Sequence, residues 1–179
     1  MRRTESSKFS ALVLVQDHYN TLRNYSTKRS RPADYLIYLG LPALLAGLVW
    51  YLDGRARNVP DVLAAVAILT GLIFNVFVLI FDLTARAADT LPLGVREFVD
   101  QLADELRANV SYAVLVGILL TGLLGGLVMF TDVDKPLNRL ATMMVVFACA
   151  HLLLTIFMIL KRVRAMFRSF RLRREEPIP

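Results

Sequence analysis

A single cysteine, Cys149, stands among 179 residues, so no disulfide can close within the chain and no cysteine cluster can hold a metal. Histidine is almost as scarce. His18 and His151 fall in different compartments of the expected fold, where they cannot share a metal. The sequence has no His-Glu-x-x-His, no glycine-rich phosphate loop and no carboxylate pair inside an apolar run. We therefore expect no enzyme: no catalytic residues, no metal and no cofactor.

Charge is missing by position. Four runs hold no Asp, Glu, Lys or Arg: Leu36 to Leu52, Val62 to Phe81, Tyr112 to Phe130 and Ala141 to Leu160. They account for much of a composition that is 56% hydrophobic, in a chain of formal net charge +6. A helix rising about 1.5 Å per residue needs roughly 20 residues to cross about 30 Å of hydrocarbon. In lipid the backbone must bond to itself, so the expected fold is all-α, an integral membrane protein with four transmembrane helices. Asp34, Tyr35 and Asp53 flank the short first run at headgroup level.

Arg2 and Arg3 ahead of Ala11 to Val15 imitate a secretory signal, but Gln16, Asp17 and His18 follow with no small-residue cleavage site. The segment reads as mature protein. Lys and Arg set the orientation: 17 lie before Pro32, between Asp82 and Ser111, or after Leu160, and four lie in the loops after the first and third runs. The positive-inside rule then puts both termini and the central loop in the cytoplasm of a bacterium, with the spans in its inner membrane.

An internal repeat runs through the spans. LLAGLVWYLD from Leu44 to Asp53 aligns with LLGGLVMFTD from Leu123 to Asp132 at an offset of 79. Past the outer loops the offset becomes 76, which sets Asn75 against His151 and Arg86 against Arg162. Both copies start in the cytoplasm, so the layout is two tandem parallel hairpin repeats with cytoplasmic helical extensions. Ala43 and Gly47 of the first span match Gly122 and Gly126 of the third. Small residues four apart let helices approach closely, either within the chain, first span against third, or between subunits.

The divisions are residues 1–34, a cytoplasmic amphipathic segment; 35–81, the first hairpin; 82–111, a cytoplasmic helical hairpin; 112–160, the second hairpin; and 161–179, a basic tail. In the first segment Phe9, Leu12, Val13 and Gln16 favour a helix, while Ser10 to Gln16 would also serve as a strand. In the central segment Val95, Phe98, Val99, Leu102, Leu106 and Val110 share one helical face that leads into the third span. The second span is expected to run on, helped by an Asp82–Arg86 pair, and to stop before Leu91-Pro92. In the tail, Lys161, Arg164, Arg168 and Arg171 lie opposite Val163, Met166, Phe167 and Phe170. That basic face suits either anionic lipid headgroups or a polyanion such as a nucleotide or single-stranded DNA.

Asn75 and His151 sit at hydrocarbon depth, where an unpaired polar group is costly. Two readings stand: hydrogen-bonded glue between helices, or the lining of a pore. Thr70, Thr121 and Thr155 are expected to bond to their own helix backbones, and Pro42 to kink the first span. Four mostly aliphatic helices pack solid, so a pore requires several subunits in closed symmetry.

The layout of pre-helix, tight membrane hairpin and basic tail resembles the SLATT-like two-helix units encoded beside nucleotidyltransferases, the Hailong-type anti-phage effector among them. The resemblance implies a homo-oligomeric ion channel that a nucleotide or oligonucleotide from a partner nucleotidyltransferase opens. The rival expectation is a non-conducting adaptor or scaffold that anchors a cytoplasmic partner.

Overall fold

The computed structural model describes residues 11–21, 32–90, 93–132 and 135–175. Within them the chain forms five helices: α1 (Ala11–Thr21), α2 (Pro32–Tyr51), α3 (Val59–Thr90), α4 (Leu93–Phe130) and α5 (Arg139–Glu175). Three segments, Val59–Asp82, Ala103–Phe130 and Arg139–Arg164, are long and apolar enough to cross a membrane. The apolar part of α2, Leu36–Tyr51, is shorter. Leu72, Phe74, Val78 and Phe81 of α3 are all at least half exposed, as are Ile118 and Leu119 of α4. So much apolar surface is stable only when lipid or another protein covers it. The chain is a helical membrane protein.

Local chemistry sets the helix ends. Pro32 opens α2, where a missing N–H costs nothing. Asp53 ends it at φ 53°; Gly54 N–H bonds to Val49 C=O at 2.9 Å and Asp53 N–H reaches Trp50 C=O, a Schellman cap. Asn58, at φ 54°, precedes α3 in the left-handed region that asparagine tolerates. Asn138 caps α5, its Oδ1 accepting from Ala141 N–H at 2.7 Å. As the sequence leads one to expect, α3 stops at Thr90, and Arg86 pairs with Asp82 at 2.9 Å. α1 is helical, and the amphipathic stretch from Leu93 is continuous with the apolar segment Ala103–Phe130. Of that stretch's apolar face, Leu106 and Val110 are buried, while the side chains of Val95, Phe98, Val99 and Leu102 lie outside the described part.

Among the described residues, α4 packs against α3, α5 and α1, and α5 packs against α2 as well. The α2 backbone approaches neither α3 nor α4. The two halves therefore do not pack alike: α4 and α5 form a joined hairpin, whereas α2 and α3 lie on opposite flanks of the sheaf. Their connection crosses the start of α5 and is fastened there. Leu137 N–H bonds to Ala56 C=O at 2.9 Å, Ala56 N–H bonds to Thr142 Oγ1 at 3.0 Å, and Arg139 pairs with Asp53. Arg139 holds the Asp53 carboxyl below the usual carboxylate range by that hydrogen bond.

The α3–α4 seam is regular. Leu106, Val110, Ala113, Leu120 and Leu124 of α4 face Val59, Val66 and Ile73 of α3. Spacings of three and four are those of knobs-into-holes packing, and Gly117 occupies the vacant place in the α4 series. There a Cβ on Gly117 would stand 2.8 Å from Thr70 Cγ2.

Candidate functional site

Polar and aromatic side chains from four helices converge on one buried cluster. His18 and Tyr19 come from α1, Tyr38 from α2, Glu105, Asn109 and Tyr112 from α4, and Phe147, His151, Thr155 and Arg162 from α5. Spacings of three, four and seven set the α4 and α5 members on single helix faces. His18, Asn109 and Thr155 have no exposed surface, and Tyr38, Tyr112 and His151 retain only a few per cent.

The hydrogen bonds have a direction. Asn109 Nδ2 donates to Glu105 C=O at 2.6 Å, which turns its Oδ1 toward His18. His18 Nδ1 lies 2.9 Å from that oxygen and so carries the proton. The His18 ring stacks on Tyr112, centroids 3.9 Å apart and 6° from parallel. Tyr112 Oη in turn is 2.8 Å from His151 Nε2. Thr155 Oγ1 donates to His151 C=O at 2.9 Å, so Tyr38 Oη, 2.6 Å away, donates to Thr155. The Tyr38 and His151 rings meet edge to face at 4.5 Å. Next to the cluster, Arg162 and Glu105 join α5 to α4 at 3.0 Å.

His151 has a further neighbour. Its Nδ1 closes no regular hydrogen bond, and the ring borders the backbone of Tyr38. Pro42 has no N–H, so the carbonyl four residues earlier, that of Tyr38, lacks its helical partner. The imidazole thus adjoins the break that Pro42 makes in the α2 ladder. Burial pushes His18 down from 6.5 to about 4, against the Asn109 hydrogen bond and with repulsion from Arg162. His18 is neutral near pH 7. Such a cluster suits a joint between helices: every strong contact is internal. Among the described residues no group of three or more His, Cys, Asp or Glu is placed to hold a metal.

Several expected site residues stand elsewhere than the sequence suggests. Asn75 and His151, which the repeat aligns, have different surroundings. His151 is buried on α5, while Asn75 is exposed on α3, which does not pack against α5. Close packing of the first span against the third is overturned: the α2 and α4 backbones do not approach, and the two helices meet through the side chains of Tyr38 and Tyr112. Ala43, Gly47 and Gly122 are exposed, and a Cβ on Gly47, Gly122 or Gly126 would meet nothing within 4 Å. The close helix approach is at Gly117. His18 and His151 do not occupy separate compartments; both flank Tyr112. Thr70, Thr121 and Thr155 each bond to the carbonyl four residues back, as expected. Lys161 and Arg164 are exposed on α5, and the side chains of Arg168 and Arg171 lie outside the described part. Phe9 also lies outside it.

Tyr38, Asn109, Tyr112 and Gly117 escape a search for charged or metal-binding patterns. One signal in the sequence does reach Gly117, namely its place in the three-four series from Leu106 to Leu124. Tyr38 and Tyr112 stand near the starts of two apolar runs, where tyrosine is common for its amphipathic ring alone. No protein-family model matches this chain, and neither a curated protein nor a solved structure proves similar to it.

Proposed function

We propose that this chain crosses the bacterial inner membrane four times, with both ends and the α3–α4 turn in the cytoplasm, and assembles into a homo-oligomeric ion channel. In this reading it is a pore-forming effector of anti-phage defence, opened by a cytoplasmic nucleotide or oligonucleotide.

Asn75 carries the oligomer. Its amide is exposed in the middle of the apolar surface of α3, among Leu72, Phe74, Val76, Val78 and Leu79, with no side-chain hydrogen bond to any described residue. Lipid tails offer it no partner, and an orphaned amide in hydrocarbon costs several kcal/mol in order of magnitude. A second copy offers an identical amide, which both donates and accepts. Gly71, one turn earlier on the same face, is open around its Cβ and lets another backbone approach. At 100° per residue, Asn75 lies opposite the core residues Val66 and Ile73, so the shared face runs through Ile68, Gly71, Asn75, Leu79 and Asp82. A ring of subunits meeting there has polar groups at mid-membrane, which favours conduction over the adaptor. The nucleotide signal rests on the resemblance of layout and on exposed Lys161 and Arg164, which continue α5 beyond its apolar part.

The test is cation and anion flux in proteoliposomes, with native mass measurement of the same preparations. One interhelical hydrogen bond contributes about 0.6–2 kcal/mol, so Asn75→Leu should weaken each subunit contact by roughly 3- to 30-fold and reduce flux in parallel. An assembled wild type that passes no ions is an adaptor. A monomer in lipid ends both readings.

A further inference from the structure

Among the described residues, α1 is the one helix with no long apolar segment. It is described over Ala11–Thr21, and a helix outside the apolar spans draws most of its stability from docking. Among the described residues it packs against α4 alone. Of its described side chains, Ala11, Leu12, Val13, Gln16 and Asp17 are exposed, and His18 alone is fully buried.

His18 enters beside the Tyr38–Tyr112 side-chain contact that joins α2 to α4, at a point where their backbones stand apart. Its ring stacks on Tyr112 of α4 and lies 5.4 Å from the Tyr38 ring of α2, while Tyr19 sets an edge 6.3 Å from each tyrosine. Two side chains of α1 thus fill a gap that the α2 and α4 backbones do not close. Behind it Tyr112 holds His151, and His151 borders the Tyr38 backbone where Pro42 interrupts α2. A chain of contacts therefore runs from α1 to the proline break in α2. Prolines in such positions are where helices bend.

We propose that α1 is a detachable wedge: seated through His18 between α2 and α4 it holds α2 in place, and its withdrawal frees α2 to pivot at Pro42. The wedge rests on the proposed function only in its purpose, since a cytoplasmic signal that draws α1 away would reach the spans by this route. Docked and undocked α1 are then two states, and a ligand acts by favouring one.

Backbone hydrogen exchange on the full chain in lipid nanodiscs reads each helix separately. In the wild type, α1 should exchange through an opening that leaves the buried amides of α3 and α4 protected. His18→Ala removes a buried hydrogen bond and a stacked ring, and should speed α1 exchange by about 100-fold. The amides that follow Tyr38 in α2 should quicken by about tenfold, with α3 and α4 unchanged. Unchanged α1 exchange in His18→Ala would overturn the wedge. Equal acceleration of α1, α3 and α4 would also overturn it, since α1 would then belong to one cooperative core. Faster α1 with fully protected α2 would make α1 a mere tether, with no pivot.

Should His18→Ala fail to fold, the wild type decides in graded denaturant. α1 must then open at lower concentration than α3 and α4, and simultaneous opening refutes the proposal. Ion flux from the same samples bears only on the channel: exchange can uphold the wedge in a protein that conducts nothing, or deny it in one that conducts.

Discussion

Gly117→Leu is expected to disrupt the α3–α4 pair, the largest effect of any single change in the chain. A Cβ at this position would stand 2.8 Å from Thr70 Cγ2, 3.1 Å from Thr70 Cβ and nearer still to Oγ1. Rotating Thr70 gives no relief, because its Cβ is fixed to the backbone and its hydroxyl is bonded to Val66 C=O at 2.7 Å. The helices must instead move apart along a seam that includes Val66, Ile73, Ala113 and Leu120. Overpacking a tight core costs about 1–3 kcal/mol, while replacing glycine in a helix returns up to about 1 kcal/mol. Gly117→Ala should therefore be mildly destabilising, by roughly 0–2 kcal/mol on those figures, and Gly117→Leu well beyond it. Unfolding in mixed micelles measures both. Adding Thr70→Ala should restore part of the loss in Gly117→Ala, since two of the three close atoms are then gone. Full stability in Gly117→Leu would mean that α3 and α4 do not meet at this point.

Acid should release α1 before the spans unfold. His18 titrates near 4 when docked and near 6.5 when exposed, so the undocked state binds more protons between those values. Its contribution is present above about pH 6.5 and is lost as pH falls toward 4. A shift of that size corresponds to about 3 kcal/mol. The groups facing His18 are Tyr19 on its own helix, Tyr38 of α2, Asn109 and Tyr112 of α4, and Arg162 and His151 of α5; the Arg162 charge acts in the same sense as burial. Proteolysis of α1 in nanodiscs, followed from pH 7.5 to 5, should accelerate steeply below about 6.5. His18→Asn should flatten the profile. A wild-type profile as flat as the variant's would place His18 in water.

Much of this fold is legible in the sequence, because apolar run length and proline positions report on a helix without reference to its neighbours. Three apolar helices long enough to cross a membrane, the end of α3 before Leu91-Pro92, the Asp82–Arg86 pair and the three back-bonded threonines all follow from local rules. Neighbour order does not. Leucine-rich faces have no preferred partner, so the repeat of LLAGLVWYLD and LLGGLVMFTD suggests two equivalent hairpins, and nothing local shows that α2 and α3 lie apart. The fastening of Ala56 to Leu137 and Thr142 relies on backbone groups that the sequence does not display.

The glycines show the same limit. Gly47, Gly122 and Gly126 stand in recognisable small-residue pairs, yet the residue that requires glycine is Gly117, a single place in a three-four series. His18 follows a polar pair, Gln16 and Asp17, and looks like a surface residue. Only the approach of Asn109 and Tyr112 from a helix 91 positions away makes it the most deeply buried titratable group described.

Assembly through α3 has a direct test in native membranes. With Cys149 changed to alanine, single cysteines are introduced in turn at Ile68, Gly71, Phe74, Asn75, Val76 and Leu79, and the membranes are mildly oxidised. Covalent dimers should form at 68, 71, 75 and 79 and fall away at 74 and 76, a helical period centred on the exposed amide. No dimer at 75, or equal dimer at all six positions, would show that α3 faces lipid and that no second copy meets it there.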